Sequence, residues 1–254
     1  MRSLAFRRTP GDDAPMSDTD HRNAPNIVLL IDADNASPSG IDPVLTVLAE
    51  LGSVNIRRVY GNWRKQSLKG WADIVHKFGI EPQQQFDLTK GKNATDMKMT
   101  IDAMDLLFRD SVDGFGIMSS DSDFTPLAMR IKQAGVPVYG FGGAKTPEAF
   151  QQACTRWIDV DELIRAAKEE NGTTEKKRAV TKELIDLLLD AYGQSKRDER
   201  GFTKLSEVGQ RAGNRSSFDT RNFGFARLSD LIAEVPNFTA ERRDDGQVWV
   251  KRLR

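Results

Sequence analysis

Short apolar runs alternate with amphipathic stretches along this chain, and two of the runs stop abruptly at acidic and small polar residues. Asn26-Ile27-Val28-Leu29-Leu30-Ile31 ends at Asp32-Ala33-Asp34-Asn35, and Phe115-Gly116-Ile117-Met118 ends at Ser119-Ser120-Asp121-Ser122-Asp123. Runs this short, without polar alternation, suit strands covered on both faces, as in a parallel sheet between helices. Strands are expected at 27–31, 54–60, 82–86, 114–118 and 136–141, with a weaker one at 157–159. Helical periodicity fills the intervals at 41–51, 67–78, 95–108, 124–134 and 147–153. The fold class is therefore α/β, a doubly wound parallel sheet. In such sheets ligands bind outside the carboxyl ends of the strands, where both acidic clusters fall.

Local punctuation supports the helix ends. Gly52, Gly79 and Gly135 each follow a helical pattern, where a left-handed residue closes the last turn. Thr146-Pro147 reads as an N-cap with proline in the first helical position. In the 95–108 pattern Met97, Ile101, Met104 and Phe108 form one apolar stripe, expected to face the sheet. Asp102 and Asp105 are then expected as solvated surface charges.

Composition narrows the function classes. The chain has 254 residues, one cysteine (Cys154) and two isolated histidines, His21 and His76. An intramolecular disulfide is impossible, and neither a zinc cluster nor a Ser-His-Asp or Cys-His arrangement is available. No apolar stretch approaches the roughly 18 residues of a membrane span. A reducing cytoplasm is the expected location, with no membrane partner. Residues 1–25 are polar and aperiodic and lack the apolar core of a signal peptide, so a disordered tail is expected; Met16 is a possible alternative start. Charge is split: residues 26–164 carry 14 Lys/Arg against 18 Asp/Glu, and residues 165–254 carry 19 against 15. An acidic front joined to a basic back suits a catalytic domain beside a module that takes polyanions.

The back half begins with a charged, breaker-containing linker at 165–178. Helices are expected at 180–192, 203–212 and 218–234, then a hairpin of 237–242 and 248–253 around Asp244-Asp245-Gly246. Three helices and a hairpin over 179–254 describe a small winged-helix domain, a module that binds nucleic acid or, in some cases, protein. Leu205, Val208, Phe225, Leu228 and Leu231 are its expected core.

Taken singly, each acidic group has a bland explanation. Asp32 and Asn35 fit an Asx turn, Asp123 fits a helix N-cap and Thr95-Asp96 fits a cap. Taken together they fall at the ends of elements that this topology brings to one rim, since the first and fourth strands are commonly neighbours. Carboxylates crowded that way repel unless a cation holds them, and an all-oxygen set favours Mg²⁺ or Mn²⁺. Lys90 and Lys92, just before Asp96, are candidates for the flanking phosphates or simply solvated.

The segments LLIDADN (29–35), KGKNATDMKMTIDAM (90–104), GIMSSDSDFTPLAMRIKQAGVPVYGFG (116–142) and CTRWIDVDEL (154–163) resemble the NYN domain family, the PIN-like, LabA-like metal-dependent ribonuclease folds. The resemblance spans 26–164. It implies metal binding by Asp32, Asp96, Asp121 and Asp123, with Asn35 and Ser120 as associated polar groups. Behind it, FTKL (202–205), Val208-Gly209 and FDTRNFGF (218–225), with Leu228, Leu231 and Ile232, resemble the OST-HTH (LOTUS) domain. That likeness implies RNA binding, often of structured or G-rich RNA, with Lys204, Arg211, Arg215, Arg221, Arg242 and Arg243 as contact candidates. The leading expectation is a metal-dependent endoribonuclease hydrolysing RNA phosphodiester bonds. One alternative is a non-cleaving RNA-binding regulator with the same acidic pocket. Another is a haloacid dehalogenase-like phosphatase, which Asp32-Ala33-Asp34 partly mimics but which expects Thr or Val where Ala36 stands. Oligomeric state stays open.

Overall fold

The structure is a computed structural model and describes residues 24–86, 94–109, 111–170, 180–243 and 246–253. In chain order the first domain contains β1 (Asn26–Asp32), α1 (Ile41–Ala49), β2 (Ser53–Gly61), α2 (Lys69–Ala72), β3 (Glu81–Gln84) and α3 (Ala94–Leu107). It continues with β4 (Gly114–Met118), α4 (Thr125–Gln133), β5 (Val138–Gly142), α5 (Glu148–Ala153), β6 (Arg156–Asp159) and α6 (Val160–Glu170). The strands form one parallel sheet in the order β3-β2-β1-β4-β5-β6. The chain reverses direction across the sheet between β1 and β4, the switch point where such folds place their sites.

β1 shows why the sequence folds this way. Ile27, Leu29 and Ile31 enter the apolar layer under α1, α2 and α6, while Val28 and Leu30 enter the one under α3, α4 and α5. A strand with no polar position can satisfy both faces only as a central parallel strand. Each such side chain contributes roughly 1.5–3 kcal/mol by leaving water. Among the described residues, no helix is long and apolar enough to cross a membrane.

Several local expectations are corrected. Gly79 (φ 60°) and Gly135 (φ 83°) are left-handed as expected, but Gly52 is not. Gly52 is needed instead for close approach, since a Cβ there would stand 2.2 Å from the Pro25 carbonyl oxygen. The helix expected at 67–78 is regular only over Lys69–Ala72, after a 3-10 turn at Gln66–Leu68. Pro147 itself is the N-cap of α5, and the Thr146 hydroxyl turns back to donate to Gly143 O at 2.8 Å.

The phase of α3 is the largest correction. Met97 is 66% exposed, Ile101 54% and Phe108 66%, whereas Met99, Ala103, Leu106 and Leu107 are buried; Met104 packs partly. Asp102 is not solvated: it accepts from Tyr60 Oη (3.1 Å) and Lys98 Nζ (2.5 Å) in a buried position. Asp105 is exposed as expected. Two apolar stripes overlap on this helix, and the bulkier one faces solvent.

The second domain comprises α7 (Lys182–Gln194), β7 (Thr203–Lys204), α8 (Leu205–Arg215), α9 (Leu228–Glu234), β8 (Phe238–Arg242) and β9 (Val248–Arg252). Leu205, Val208, Phe225 and Leu231 are buried in its core and Leu228 packs against it. The single helix expected at 218–234 is two pieces, a 3-10 turn (Thr220–Phe223) closed by left-handed Gly224 (φ 78°) and then α9. The hairpin gains β7 as a third strand, giving the order β7-β9-β8. α6 runs to Glu170, so the segment read as a linker from 165 opens in a helix; its remainder at 171–178, and most of the expected tail, lie outside the described residues.

The second domain seals a sheet edge of the first. Trp157 N on edge strand β6 donates to Ser217 O (3.0 Å), and the Asn222 amide receives Asp159 N (2.9 Å) and donates to Trp157 O (2.8 Å). Arg221 bridges Asp219 to Glu50 of the first domain. An edge strand with unpaired N–H and C=O groups invites association, and this covering removes that hazard.

Candidate metal centre

β1 and β4 pair in register, Ile31 opposite Met118, so the chain leaves both strands side by side at the carboxyl rim. Asp32 emerges there fully buried. Its Oδ1 accepts from Asp34 N (3.1 Å) and its Oδ2 from Asn35 Nδ2 (2.9 Å) and Ser119 Oγ (2.7 Å). Ser119 Oγ in turn accepts from Asp121 N (3.0 Å). One hydroxyl thus fixes the deep carboxylate and the start of the second acidic loop together.

Asp121 caps the 3-10 turn Ser122–Phe124, its Oδ1 accepting from Asp123 N at 2.9 Å. Asp96 lies in the first turn of α3 and faces the same rim. Asp96, Asp121 and Asp123 each offer a carboxylate oxygen, and these oxygens lie within 4.8 Å of one another. Asp32 is outside that trio, behind it.

Charge at the rim is strained. The Asp96 carboxyl is pushed up to about 6, first by burial and then by the negative charges of Asp32, Asp121, Asp123 and Asp34. Burial also raises Asp32, partly offset by its hydrogen bonds from Ser119, Asn35 and Asp34. Lys65 Nζ lies 3.2 Å from the Asp34 carboxylate beside this rim. The donor set is oxygen only, semi-exposed and crowded, which fits a hard divalent cation that retains waters.

The remaining expected residues scatter. Asn35 orients Asp32, and Ser120 Oγ accepts from Gly143 N (3.0 Å), tying the acidic loop to the end of β5. Lys90 and Lys92 lie outside the described residues. Arg211 pairs with Glu207, Arg215 with Asp190, Arg221 with Asp219 and Glu50, and Arg243 with Asp198 and Glu241. Lys204 and Arg242 are exposed. None of these basic residues of the second domain bonds to the acidic trio. Sequence reasoning missed Ser119 as a positioning group. The available signal was its place, one residue past a strand, opposite Asp32 in the neighbouring strand's register.

Comparison with known proteins adds identity to this geometry. A family profile described as the NYN domain matches residues 26–185, and one described as the OST-HTH/LOTUS domain matches residues 175–250. An uncharacterised protein of Methanocaldococcus jannaschii is 30% identical over 120 residues, 46% of this chain and 47% of that protein. The chain therefore spans about half the length of the curated relative it matches. A crystal structure of a protein of unknown function from Vibrio parahaemolyticus aligns at 17% identity and a TM-score of 0.47, over 56% of this chain and 96% of that one. A carbohydrate transporter from Acidothermus cellulolyticus aligns at 13% identity and a TM-score of 0.28, over 61% of this chain and 44% of that one. Likenesses this distant carry no functional argument.

Proposed function

This chain belongs to the NYN domain family and carries an OST-HTH/LOTUS domain behind its NYN domain, and from that premise we propose that it is a divalent-metal-dependent endoribonuclease that captures RNA through the LOTUS module. The observation that carries the reading is the convergence of Asp96, Asp121 and Asp123 within 4.8 Å at the switch point of a parallel sheet. In this proposal the trio holds Mg²⁺ or Mn²⁺, with Asp32 as the deep fourth carboxylate. When bound, such an ion lowers the pKa of a water and neutralises charge on the scissile phosphate.

The protein's own groups do the rest. Ser119 and Asn35 orient Asp32 by donating to it, and those hydrogen bonds offset part of the upward push of burial on its carboxyl. The Asp121 cap and the Ser120 link to Gly143 keep the second acidic loop rigid, so the ligand oxygens are placed before substrate arrives. Relieving repulsion at Asp96 supplies part of the drive for cation capture. A phosphatase using Asp32 as nucleophile fits poorly, because that carboxylate is fully buried with both oxygens engaged. A buried lone cysteine and the lack of a membrane-crossing helix among the described residues suit cytoplasmic work on RNA.

The test is multiple-turnover cleavage of RNA with Mn²⁺ by the wild type and by Asp121→Asn. Loss of cleavage in the variant supports the proposal. Cleavage that survives the substitution implicates a contaminant, and RNA binding without cleavage in the wild type makes the protein a non-cleaving RNA binder.

A further inference from the structure

In a winged-helix domain the third helix is the usual reader of nucleic acid, and here that helix is poorly suited to the task. The exposed positions of α9 include Asp230, Ala233 and Glu234, with Arg227 at its N-cap. Its first residue, Leu228, and much of α8 line a cleft of about 570 Å³ whose other wall is Leu51, Tyr139, Thr155 and Arg156 of the NYN domain. A long nucleic acid entering along α9 would meet carboxylates and then the NYN domain.

The outer face of the β7-β9-β8 sheet has the opposite character. Pairing sets Lys204 opposite Trp249, and Glu241 opposite Trp249 on the other side. Val250 is buried in the core, so the alternation of β9 turns Trp249 and Lys251 outward together. Cations lie over aromatic faces across this surface. The Arg243 guanidinium is 4.0 Å from the Trp249 ring and 5.2 Å from Phe202, Lys251 Nζ is 5.7 Å from Phe202, and Lys204 Nζ is 5.8 Å from Trp249. Asp198 and Glu241 balance Arg243, and Glu241 also reaches Arg200 at 3.5 Å. Lys204 and Lys251 make no ion pair among the described residues, so their charge is left for a ligand. The turn residues Asp244 and Asp245 lie outside the described residues, and the surface concerned is the sheet face, not the hairpin tip.

We propose that the LOTUS module binds unpaired RNA on this sheet face, with Lys204 and Lys251 on phosphates and the Arg243–Trp249 stack beneath a base, and not through α9. The inference rests on the RNA-capturing function proposed above. Paired basic and aromatic groups are the chemistry that single strands require: ammonium groups follow the backbone, and a planar guanidinium on an indole continues a base stack. Because the hydrogen bonds to β6 come from Ser217 and Asn222 and not from β8 or β9, RNA on the outer sheet face leaves those junction bonds intact.

The test uses the full chain carrying Asp121→Asn, in EDTA, titrated into a short fluorescein-labelled unpaired RNA and followed by fluorescence anisotropy from about 50 to 200 mM KCl. Adding Lys204→Glu with Lys251→Glu is expected to weaken binding about tenfold or more and to flatten the log–log salt slope by about 1.4, two single-strand phosphate contacts. Trp249→Ala is expected to weaken it about fivefold or more, the loss of one stacked base. Arg227→Glu, beside α9, is expected to change it less than about twofold, the ordinary effect of a charge off the binding face. If the glutamate pair melts early by circular dichroism, Lys204→Ala with Lys251→Ala serves in its place. Unchanged affinity and slope in the lysine variants, or a loss confined to Arg227→Glu, overturns the assignment. A parent protein that binds no RNA at all overturns the RNA-capturing reading itself, and that is seen before any sheet-face variant is made.

Discussion

Carboxylates in the two domains are perturbed in opposite directions. In the NYN domain burial lifts Asp32, Asp96 and Asp159 above the ordinary carboxylate range, with Asp96 at about 6. In the LOTUS domain hydrogen bonds hold Glu183, Asp198 and Glu207 below it, led by their own or neighbouring backbone N–H groups. The LOTUS acids also sit beside arginines: Asp198 meets Arg243 and Glu207 meets Arg211. One domain has arranged its acids for its own stability. The other gathers acids at a sheet rim, where burial and mutual repulsion raise them and where the proposed cation would relieve both.

Breaking that contrast at its strongest point gives the largest effect. Asp121→Asn should lower RNA cleavage in Mn²⁺ by roughly 10³-fold, on the scale of the several kcal/mol that metal-assisted phosphate chemistry supplies; initial rates on a labelled RNA check this. Next is Ser119→Ala, which strips Asp32 of a buried donor and cuts the link to Asp121. It should cost about 1–3 kcal/mol in urea denaturation and slow cleavage about 10- to 100-fold, as removal of an orienting partner does at metal sites.

Asp96→Asn should act with the opposite sign on stability. Relieving repulsion at a half-exposed group, discounted for solvent screening, should stabilise the metal-free protein at pH 7 by about 1 kcal/mol, or roughly 2–4 °C in calorimetry. Asp198→Asn in the LOTUS domain should lower the melting temperature instead. The smallest effect is on pH dependence. A raised carboxyl contributes stability that is present below its unfolded pKa of about 3.9 and lost as pH rises through about 6. The gain from Asp96→Asn should therefore grow from pH 4 to 7 and vanish in saturating Mn²⁺. Asp198 and Glu207 contribute stability present above their unfolded values and lost as pH falls through their lower folded ones. The Asp198→Asn penalty should accordingly shrink in acid. Identical pH trends for the two variants would dissolve the comparison.

Much of this was legible in the residues, for physical reasons. β1 and β4 were readable because a fully apolar run ending at aspartate has few other places to go, and their adjacency followed from the topology. The phase of α3 was misread because the stripe Met97–Ile101–Phe108 is bulkier than the one that packs, Met99–Ala103–Leu106. The correct phase was nonetheless implied by the site: if Asp96 faces the rim, residues 99, 103 and 106 follow it on the same helix face. Asp102 was misread for the same reason, since its burial depends on Tyr60 two strands' worth of chain away. Ser119 escaped because its role exists only in register with Asp32. Asn222, which seals β6, fell inside the helix expected at 218–234, and nothing in that pattern pointed to a partner strand. Contacts made between domains leave no periodicity to read.

The central claim is that the crowded aspartates of the NYN domain hold a hard cation, and crystals soaked in Mn²⁺ test it most directly. The account predicts an anomalous peak bounded by carboxylate oxygens of Asp96, Asp121 and Asp123, at the Mn–O distances of about 2.0–2.3 Å typical of small hard cations, and its loss in Asp121→Asn. A rim without anomalous density at saturating Mn²⁺, with the ion absent or bound elsewhere, would contradict it.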